Sequence, residues 1–368
     1  MAAQRPIQQP IRRPIRYLTR RDRIGVLIWA TIGLSMVMKS TSSAVDPASQ
    51  PAVPAATVPA SPAAIETLRR AGKRDAGAHD PSTIVRDGDW YYCFLTGQGV
   101  PVIRSRDLDK WDEQPHVFAR SPDWVATAVP GNRGHFWAPD IVRAKDGRWL
   151  MYYSVSTFGK QTSAIALATN TTLDASNPEY AWKDAGIVVK SSPDENFNAI
   201  DPAITYDADG RLWMSFGSFW DGIKLIELDA ATGLRKGADA PIALARNHEI
   251  EAPSIYQHGK HYYLFVNWGK CCVGVKSTYE IRVGRAVQVT GPYFDRDGKD
   301  LASNGGTLLL AGDGAMIGPG HAGIVTDAAG RQQLSFHFYN ATNDGKPMLG
   351  IRPLAWDAEG WPVAVHRE

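Results

Sequence analysis

Three acidic residues, Asp80, Asp201 and Glu251, stand at the start of short apolar segments that are far apart in the chain. A proline follows each of them directly or after one residue, and then a run such as ITY or SIY that favours a buried strand. Carboxyl groups held close together can share acid and base catalysis, one keeping its proton while another stays ionised. The chemistry therefore depends on a fold that brings these segments together.

An internal repeat predicts such a fold. Segments that begin at Asp80, Ala138, Asp201, Glu251 and His321 share one design: a strand, a tight turn whose glycine comes 8 or 9 residues after the first residue, and a second strand. Five copies at irregular spacings are typical of five β-propeller blades with variable loops. Because the innermost strand of each blade starts at the central axis, these five positions are predicted to converge there.

The rest of the chain also indicates an all-β fold. From residue 78 to residue 368, short β-rich runs alternate with Asp-Gly, Pro and Asn turn signals, and long helical periodicity is nearly absent. A β-sandwich is the alternative, but five matched segment starts are hard to explain in that fold. The sequence predicts one five-bladed propeller over residues 78–368.

The first 44 residues predict a signal peptide. Residues 1–23 hold seven arginines and one aspartate, residues 24–38 are apolar without a charge, and Ser42-Ser43-Ala44 suits a signal peptidase. A membrane span needs about 20 apolar residues, so stable membrane insertion is not expected, although an uncleaved anchor is the alternative. Residues 45–77, rich in alanine and proline in their first part, predict a flexible linker. We expect a secreted or periplasmic protein.

The net charge of the chain indicates which class of binding partner it can have. The chain has 40 basic and 38 acidic residues; residues 1–44 hold eight and one of these, which leaves a net charge of −5 on the remainder. That remainder has no lysine- and arginine-rich patch or nucleic-acid motif, which argues against a nucleic-acid partner. We expect a monomer.

Cysteine is sparse. Besides Cys93, the chain holds the adjacent pair Cys271-Cys272. An exported protein could oxidise the pair to a disulfide that stiffens its loop; two small loop residues are the other interpretation, and the sequence favours neither. The absence of CxxC and HExxH patterns from the sequence argues against a zinc site.

The three carboxylates are more informative together than singly. Each one alone is typical of a residue that accepts hydrogen bonds from backbone amides at the start of a strand. Three around one axis repel one another, which is unfavourable unless a function retains them. Glycoside hydrolysis is such a function, because carboxyl groups about 6.5–9.5 Å apart leave room for a water and invert configuration, whereas about 5–5.5 Å leads to retention. The mouth of a propeller suits the wider gap.

The chain resembles glycoside hydrolase family 43, specifically its endo-α-1,5-L-arabinanases. The matching segments, in chain order, are HDPS (79–82), HFWAPDI (135–141), NAIDP (198–202), GSFWDGI (217–223), IEAPSIY (250–256), CCVGVKSTYEIRVGR (271–285), GPYFDRDG (291–298), GGTLLL (305–310) and GPGHAG (318–323). The resemblance implies a five-bladed propeller that cleaves arabinan, a pectin side chain, with inversion.

The resemblance also implies catalytic roles. Asp80 would be the general base that activates water, Glu251 the general acid, and Asp201 the carboxylate that tunes and orients the acid. His321 looks like the family's axial histidine beside a central calcium or similar ion; a hydrogen-bonded core imidazole is the alternative. Because calcium prefers oxygen donors, a site filled largely by water would reconcile that ion with one histidine.

Five further residues are candidates for sugar binding. Phe136, Trp137 and Trp220 could stack on furanose rings, or could be core aromatics. Asn198 and Ser218 fall in motifs that resemble substrate hydrogen-bonding positions, or could shape turns.

Two other functions compete with this interpretation. The nearer is an exo-acting arabinofuranosidase or xylosidase of the same family. The other is a non-catalytic propeller that binds sugar with the same aromatics, but such a protein has no need of an acid and base set.

Overall fold

The computed structural model describes residues 77–365; the predicted signal peptide and residues 45–76 of the predicted linker lie outside the described residues. Its regular structure is almost entirely β, with 21 strands in five sheets that form the blades of a five-bladed propeller, so the predicted fold is confirmed. Among residues 77–365, no helix has both the length and the hydropathy needed to span a membrane.

The blades are antiparallel sheets whose strands follow one another in the chain, except that the short strand Gly97–Gln98 leaves blade 1 to pair with the first long strand of blade 2. Blade 1 contains β1 (Val85–Asp87), β2 (Trp90–Phe94), β4 (Val102–Ser105) and β5 (Asp112–Gln114). Blade 2 contains β3 (Gly97–Gln98), β6 (His135–Arg143), β7 (Trp149–Val155), β8 (Ser163–Asn170) and β9 (Lys183–Ser191). Blade 3 contains β10 (Ala203–Tyr206), β11 (Leu212–Phe216), β12 (Ile223–Leu228) and β13 (Ile242–Ala245).

The last two blades have the same organisation. Blade 4 contains β14 (Ile250–His258), β15 (His261–Trp268), β16 (Glu280–Ala286) and β17 (Thr307–Leu310). Blade 5 contains β18 (Met316–Thr326), β19 (Gln332–Asn340), β20 (Lys346–Trp356) and β21 (Pro362–Ala364). The short helices are α1 (Val125–Ala128) and three 3₁₀ turns, Gly274–Lys276, Leu301–Ser303 and Ala341–Asn343.

The hydrophobic core lies between neighbouring blades. Each of five buried clusters joins two adjacent sheets, for example through Tyr92 and Tyr153, Leu150 and Met214, Leu225 and Leu264, Phe265 and Phe336, and Cys93 and Leu349. The last pair joins blade 1 to blade 5 and closes the ring. One blade cannot bury both of its apolar faces alone, so the strands are stable only as a closed set.

Each blade has one residue in the left-handed backbone region in or just before its innermost strand, and these residues are Asp80, Ala138, Asp201, Ala252 and His321, with φ from 41° to 62°. Their N–H groups donate to side chains of the preceding blade: His337 Nδ1, Thr96 Oγ1, Ser154 Oγ, Asp201 Oδ2 and Asn267 Oδ1, respectively. These bonds fix the strand starts around the axis.

The fourth of these positions corrects the sequence analysis. Ala252, not Glu251, is equivalent to Asp80 and Asp201, because Ala252 carries the left-handed turn and the inter-blade hydrogen bond. Glu251 comes one residue earlier and therefore leaves the backbone in a different direction. The general-acid candidate thus approaches the axis from a register that the two aspartates do not share.

Candidate active site

The structure brings Asp80, Asp201 and Glu251 into one cleft of ≈ 1700 Å³ at the propeller axis. Asp201 and Glu251 are buried, and Asp80 is nearly so. The charge of Asp80 acts on both other carboxyl groups, which places all three in one electrostatic unit.

Asp80 is surrounded by hydrogen-bond donors and imidazoles. Its Oδ2 accepts a 2.6 Å hydrogen bond from Thr96 Oγ1 and lies 2.8 Å from His79 Nδ1. Its Oδ1 lies 3.4 Å from His337 Nδ1 and 3.5 Å from His321 Nδ1. Burial by itself raises the pKa of Asp80, but the three histidines outweigh it, so this pKa falls well below its ordinary value. Asp80 is therefore an ionised carboxylate that can accept a proton.

Glu251 has the opposite electrostatics. Burial is the largest influence and raises the pKa of Glu251 to about 7, against a hydrogen bond that lowers it and with the charge of Asp80 raising it further. That hydrogen bond comes from Ser218 Oγ, which donates to Glu251 Oε2 over 2.6 Å. A carboxyl group with such a pKa keeps its proton in mildly acidic solution, as a general acid must.

Asp201 is bound to the strand start next to Glu251. Its Oδ2 accepts the N–H of Ala252 over 3.1 Å. Burial, and then the charges of Glu251 and Asp80, raise the pKa of Asp201 well above its ordinary value. The charge of Glu251 thus acts on Asp201. The converse effect expected from the sequence, in which Asp201 raises the pKa of Glu251, stays a prediction.

Four of the five predicted sugar-binding residues line the cleft: Trp137, Asn198, Ser218 and Trp220. Trp220 is 45% exposed and is the more open of the two tryptophans. Asn198 Oδ1 accepts a 2.7 Å hydrogen bond from Ser163 Oγ. Ser218 is already bonded to Glu251, so its contribution is first to the acid. The sugar-binding roles stay predictions.

The turn that presents Trp220 requires its glycines. It joins β11 to β12 and begins at Gly217, where a β-carbon would lie 2.6 Å from the carbonyl oxygen of Gly222. At Gly222 a β-carbon would lie 2.2 Å from the carbonyl oxygen of Ala245. Both glycines also have positive φ, which L side chains disfavour. These two glycines therefore permit the close backbone approach in the turn that carries Trp220.

The sugar-binding role expected for Phe136 is wrong. Its side chain is fully buried and packs against Phe118 and Tyr153, with ring centroids 5.6 and 5.1 Å away. Successive residues of a strand point to opposite sides, so Trp137 reaches the cleft and its neighbour cannot. Phe136 is therefore a core residue of the interface between blades 1 and 2.

Several residues around the site were not singled out from the sequence: His79, Thr96, Phe158, His337 and Tyr339. His79, Thr96, Phe158 and Tyr339 line the cleft, and Phe158 is 80% exposed. The signal for His337 and Tyr339 was their place in the apolar strand LSFHFY, where a buried imidazole needs a polar partner. That partner lies in blade 1, which no local pattern reveals.

Asp140 is buried but has a structural role. Its Oδ1 accepts the N–H of Thr83 and its Oδ2 accepts the N–H of Ile204, at 2.9 and 2.7 Å. One carboxylate thereby joins blade 2 to blades 1 and 3, and both of its oxygens are engaged in that link.

The neighbourhood of His321 offers few oxygen donors. Its Nδ1 faces the carboxylate of Asp80, and the ligand atoms of His79, Asp80 and His337 lie within 4.8 Å of one another. Calcium takes about six to eight oxygen ligands. These residues do not form an oxygen cage for calcium; they fit only an ion whose shell is filled mainly by water. The ion stays a prediction.

The adjacent cysteines form a disulfide in this structure. Cys271 and Cys272 are joined and both line the cleft, whereas Cys93 is a buried free thiol. Of the two interpretations that the sequence left open, the structure has the oxidised one.

With this geometry established, comparison with known proteins identifies the family. The sequence profile of glycosyl hydrolases family 43 matches residues 75–362. The chain belongs to this family. In sequence it is 41% identical over 311 residues to an extracellular exo-α-(1→5)-L-arabinofuranosidase of Cellvibrio japonicus, covering 81% of this chain and 89% of the relative. It is 42% identical over 291 residues to an extracellular endo-α-(1→5)-L-arabinanase of Bacillus subtilis, covering 77% and 86%.

Comparison with solved structures agrees with this assignment. An exo-1,5-α-L-arabinanase from a bovine ruminal metagenomic library matches with a TM-score of 0.76 and 44% identity, over 79% of this chain and 98% of that one. The α-L-arabinanase of Cellvibrio cellulosa, solved with arabinohexaose, matches with a TM-score of 0.75 and 41% identity, over 79% and 96%. The chain is therefore a family 43 propeller over its described length.

Proposed function

We propose that this family 43 enzyme hydrolyses internal α-1,5-L-arabinofuranosidic bonds of arabinan with inversion of configuration. One observation carries the proposal: a single cleft holds two carboxyl groups whose pKa values are moved in opposite directions, that of Asp80 downward and that of Glu251 up to about 7. Such a pair has an acid and a base ready at the same pH.

In the proposed mechanism, Glu251 donates its proton to the glycosidic oxygen as the bond to the leaving sugar breaks. Asp80 takes a proton from the water that attacks the anomeric carbon from the opposite face. Thr96 and the imidazoles hold the Asp80 carboxylate in its ionised form and in one orientation. Asp201 holds the strand start beside Glu251 and shares the titration of that acid.

The size of the cleft favours a polymeric substrate. Its volume of ≈ 1700 Å³ exceeds the roughly 300–1,000 Å³ that is typical of small-molecule pockets. Trp137, Phe158 and Trp220 add aromatic faces along the cleft. Proteins that resemble this chain are named for action on arabinan or were solved with arabinohexaose, which supports arabinan as the substrate class.

Exo action is the second candidate, because similar proteins include exo-acting enzymes at 41% and 44% identity. The two modes differ in the first products from linear arabinan. Endo action gives a ladder of mixed oligosaccharides and a fast fall in viscosity, whereas exo action releases one short product with little change in viscosity. Chromatography of the early products decides between them.

The stereochemical outcome has a direct test. Proton NMR during hydrolysis of a short arabino-oligosaccharide shows which anomer forms first. Inversion from an α-linked substrate gives the β-anomer before mutarotation. First appearance of the α-anomer would contradict the proposed water-activating role of Asp80.

We also propose a calcium or similar ion beside His321, with water filling most of its shell. When bound, such a cation would add positive charge next to Asp80 and favour its ionised form. Metal analysis of the purified protein is expected to find about one ion per chain. His321→Ala is expected to lose it, and an equal content in this variant would contradict the assignment.

We propose that the enzyme is secreted and acts as a monomer. The support is the signal-peptide layout of residues 1–44 together with the extracellular relatives. Fractionation of expressing cells, with sequencing of the mature N-terminus, distinguishes secretion from periplasmic retention and from an uncleaved anchor. Light scattering on the purified protein tests the monomer.

A further inference from the structure

The loop that joins β15 to β16 reaches from blade 4 to blades 5 and 1. Its neck is closed by two hydrogen bonds, from Thr278 N–H to the carbonyl oxygen of Lys270 and from Lys270 N–H to Thr278 Oγ1, at 2.9 and 3.0 Å. Beyond the neck, the Cys271–Cys272 disulfide lies in the cleft wall. Because these two hydrogen bonds hold the base of the loop, a change in the backbone at Cys271 and Cys272 displaces the residues that the tip contacts.

The tip of this loop contacts the group next to the catalytic base. Cys272 N–H donates to Tyr339 Oη over 2.7 Å, and Tyr339 Oη lies 2.9 Å from His79 Nε2. Nδ1 of His79 lies 2.8 Å from Asp80 Oδ2, a close charge contact that is not aligned as a hydrogen bond. A continuous series of polar contacts thus joins the backbone of Cys272 to the carboxylate of Asp80.

His79 has few other supports. Its ring stacks on His337 with centroids 4.5 Å apart, which fixes the plane of the ring but not its rotation within that plane. The hydrogen bond to Tyr339 is the directional contact on Nε2, and the Sγ of Cys272 lies 3.8 Å from the same nitrogen. The orientation of His79 therefore depends on where Tyr339 and Cys272 lie.

Cys272 donates to Tyr339 from an unusual backbone conformation. Its φ is +67°, in the left-handed region that residues with a β-carbon disfavour. The disulfide to the preceding residue closes a small ring that includes this peptide unit and restricts its rotation. We expect reduction to release this restraint, so that the peptide unit between the two cysteines can rotate and the N–H of Cys272 is no longer held toward Tyr339.

We propose that the Cys271–Cys272 disulfide is a positioning device for the reaction: it holds Tyr339, and through it His79, against the catalytic base. The inference rests on the proposed function. A dithiol reductant would open it by thiol–disulfide exchange: the S–S bond breaks, both cysteines become thiols, and the reductant is oxidised to its own disulfide. The reduced enzyme would stay folded but turn over more slowly.

The test compares the oxidised and reduced forms of the enzyme on linear arabinan. Reduction with dithiothreitol is followed by thiol titration, and the Cys93→Ala background makes the two new thiols countable. We expect kcat to fall about 10- to 100-fold, because small misplacements of catalytic groups have costs of this size, with KM little changed. Reoxidation is expected to restore kcat.

Two variants show whether the effect passes through Tyr339. Tyr339→Phe keeps the ring and removes the hydroxyl, and we expect a similar loss of kcat with no further loss on reduction. The double variant Cys271→Ser, Cys272→Ser is expected to be slow and insensitive to dithiothreitol. Circular dichroism and thermal unfolding report whether each variant is folded, and reduction of the parent enzyme gives the answer if the double variant is not.

Three results would overturn the proposed role of the disulfide, and a fourth would overturn the proposed function. Unchanged kcat in enzyme with two titrated thiols overturns the inference, as does a further loss on reduction of Tyr339→Phe. A rise in KM with constant kcat also overturns it, because the disulfide would then be a contact for the sugar. If the oxidised parent does not hydrolyse arabinan, the proposed function fails instead.

Discussion

The surroundings of Asp80 and of Glu251 differ in almost every respect, although both side chains are carboxylic acids in one cleft. Asp80 faces three imidazoles, of which His79 lowers its pKa the most, and it accepts a hydrogen bond from the hydroxyl of Thr96. Glu251 faces one serine hydroxyl and lies in a buried site shared with Asp201, and its pKa rises to about 7. Neighbouring groups, not the chemical type of the residue, distinguish the proposed base from the proposed acid.

The largest effect is expected at the acid. Glu251→Gln keeps the shape and the hydrogen bond from Ser218 but removes the transferable proton, so kcat on arabinan should fall about 10³- to 10⁴-fold. A 4-nitrophenyl arabinofuranoside, whose leaving group needs no proton, should be cleaved far closer to the parental rate. Equal losses on both substrates would assign Glu251 another role.

Replacement of the base should cost somewhat less. Asp80→Asn removes the proton acceptor for water, and we expect kcat to fall about 10²- to 10³-fold on both arabinan and the aryl substrate. Asp89→Asn, in the exposed β1–β2 turn, is the matched control and should behave as the parent. Near-parental activity of Asp80→Asn would remove Asp80 from the mechanism.

The pH profile of the parent enzyme reports both environments. Glu251 must be protonated, so kcat/KM should fall as the pH rises through about 7. Asp80 must be ionised, and because its pKa lies below the ordinary 3.8, the acidic side should stay flat down to below that pH. An acidic limb between pH 5 and 6 would contradict the environment described for Asp80.

The variant Asp201→Asn tests whether Asp201 influences the pKa of Glu251. In its proposed role Asp201 helps to keep the proton on Glu251, so its removal should move the alkaline limb to lower pH by about one pH unit. We expect about a tenfold loss of rate at the optimum as the acid is less well oriented. An unmoved alkaline limb would show that Asp201 does not take part in the titration.

The smallest catalytic effect is expected from a matched pair of aromatics. Trp137→Ala should raise KM for arabinan with little loss of stability, since Trp137 lines the cleft. Phe136→Ala should leave KM unchanged but lower the free energy of unfolding by about 3–5 kcal/mol, because it opens a cavity in the core. Denaturant unfolding and steady-state kinetics on both variants check the contrast.

Much of this architecture could be predicted from the sequence because it is local. The five strand–turn–strand segments are continuous in the chain, so their repeat predicts five blades without knowledge of any contact. The convergence of Asp80 and Asp201 follows, since equivalent segment starts meet at one axis. Glu251 reached the site by a different register, because the left-handed residue of blade 4 is Ala252 and no spacing rule distinguishes the two.

What could not be predicted depends on contacts across the ring. Phe136 is not such a case, because strand alternation alone places it opposite to Trp137 and therefore in the core. His337 and Tyr339 could not be assigned from the sequence, because they contact Asp80 and His79 from the other end of the chain. Their role becomes visible only when blade 5 lies beside blade 1.

That closure has a consequence for biosynthesis. The amide of Asp80, in the first blade to be made, is bonded to His337, 257 residues later in the chain. Translation therefore delivers the base long before the residues that complete its surroundings. A nascent or prematurely terminated polypeptide that lacks blade 5 has all three carboxylates but not the imidazole that receives the amide of Asp80, so we expect hydrolytic activity to arise only at the last step of assembly.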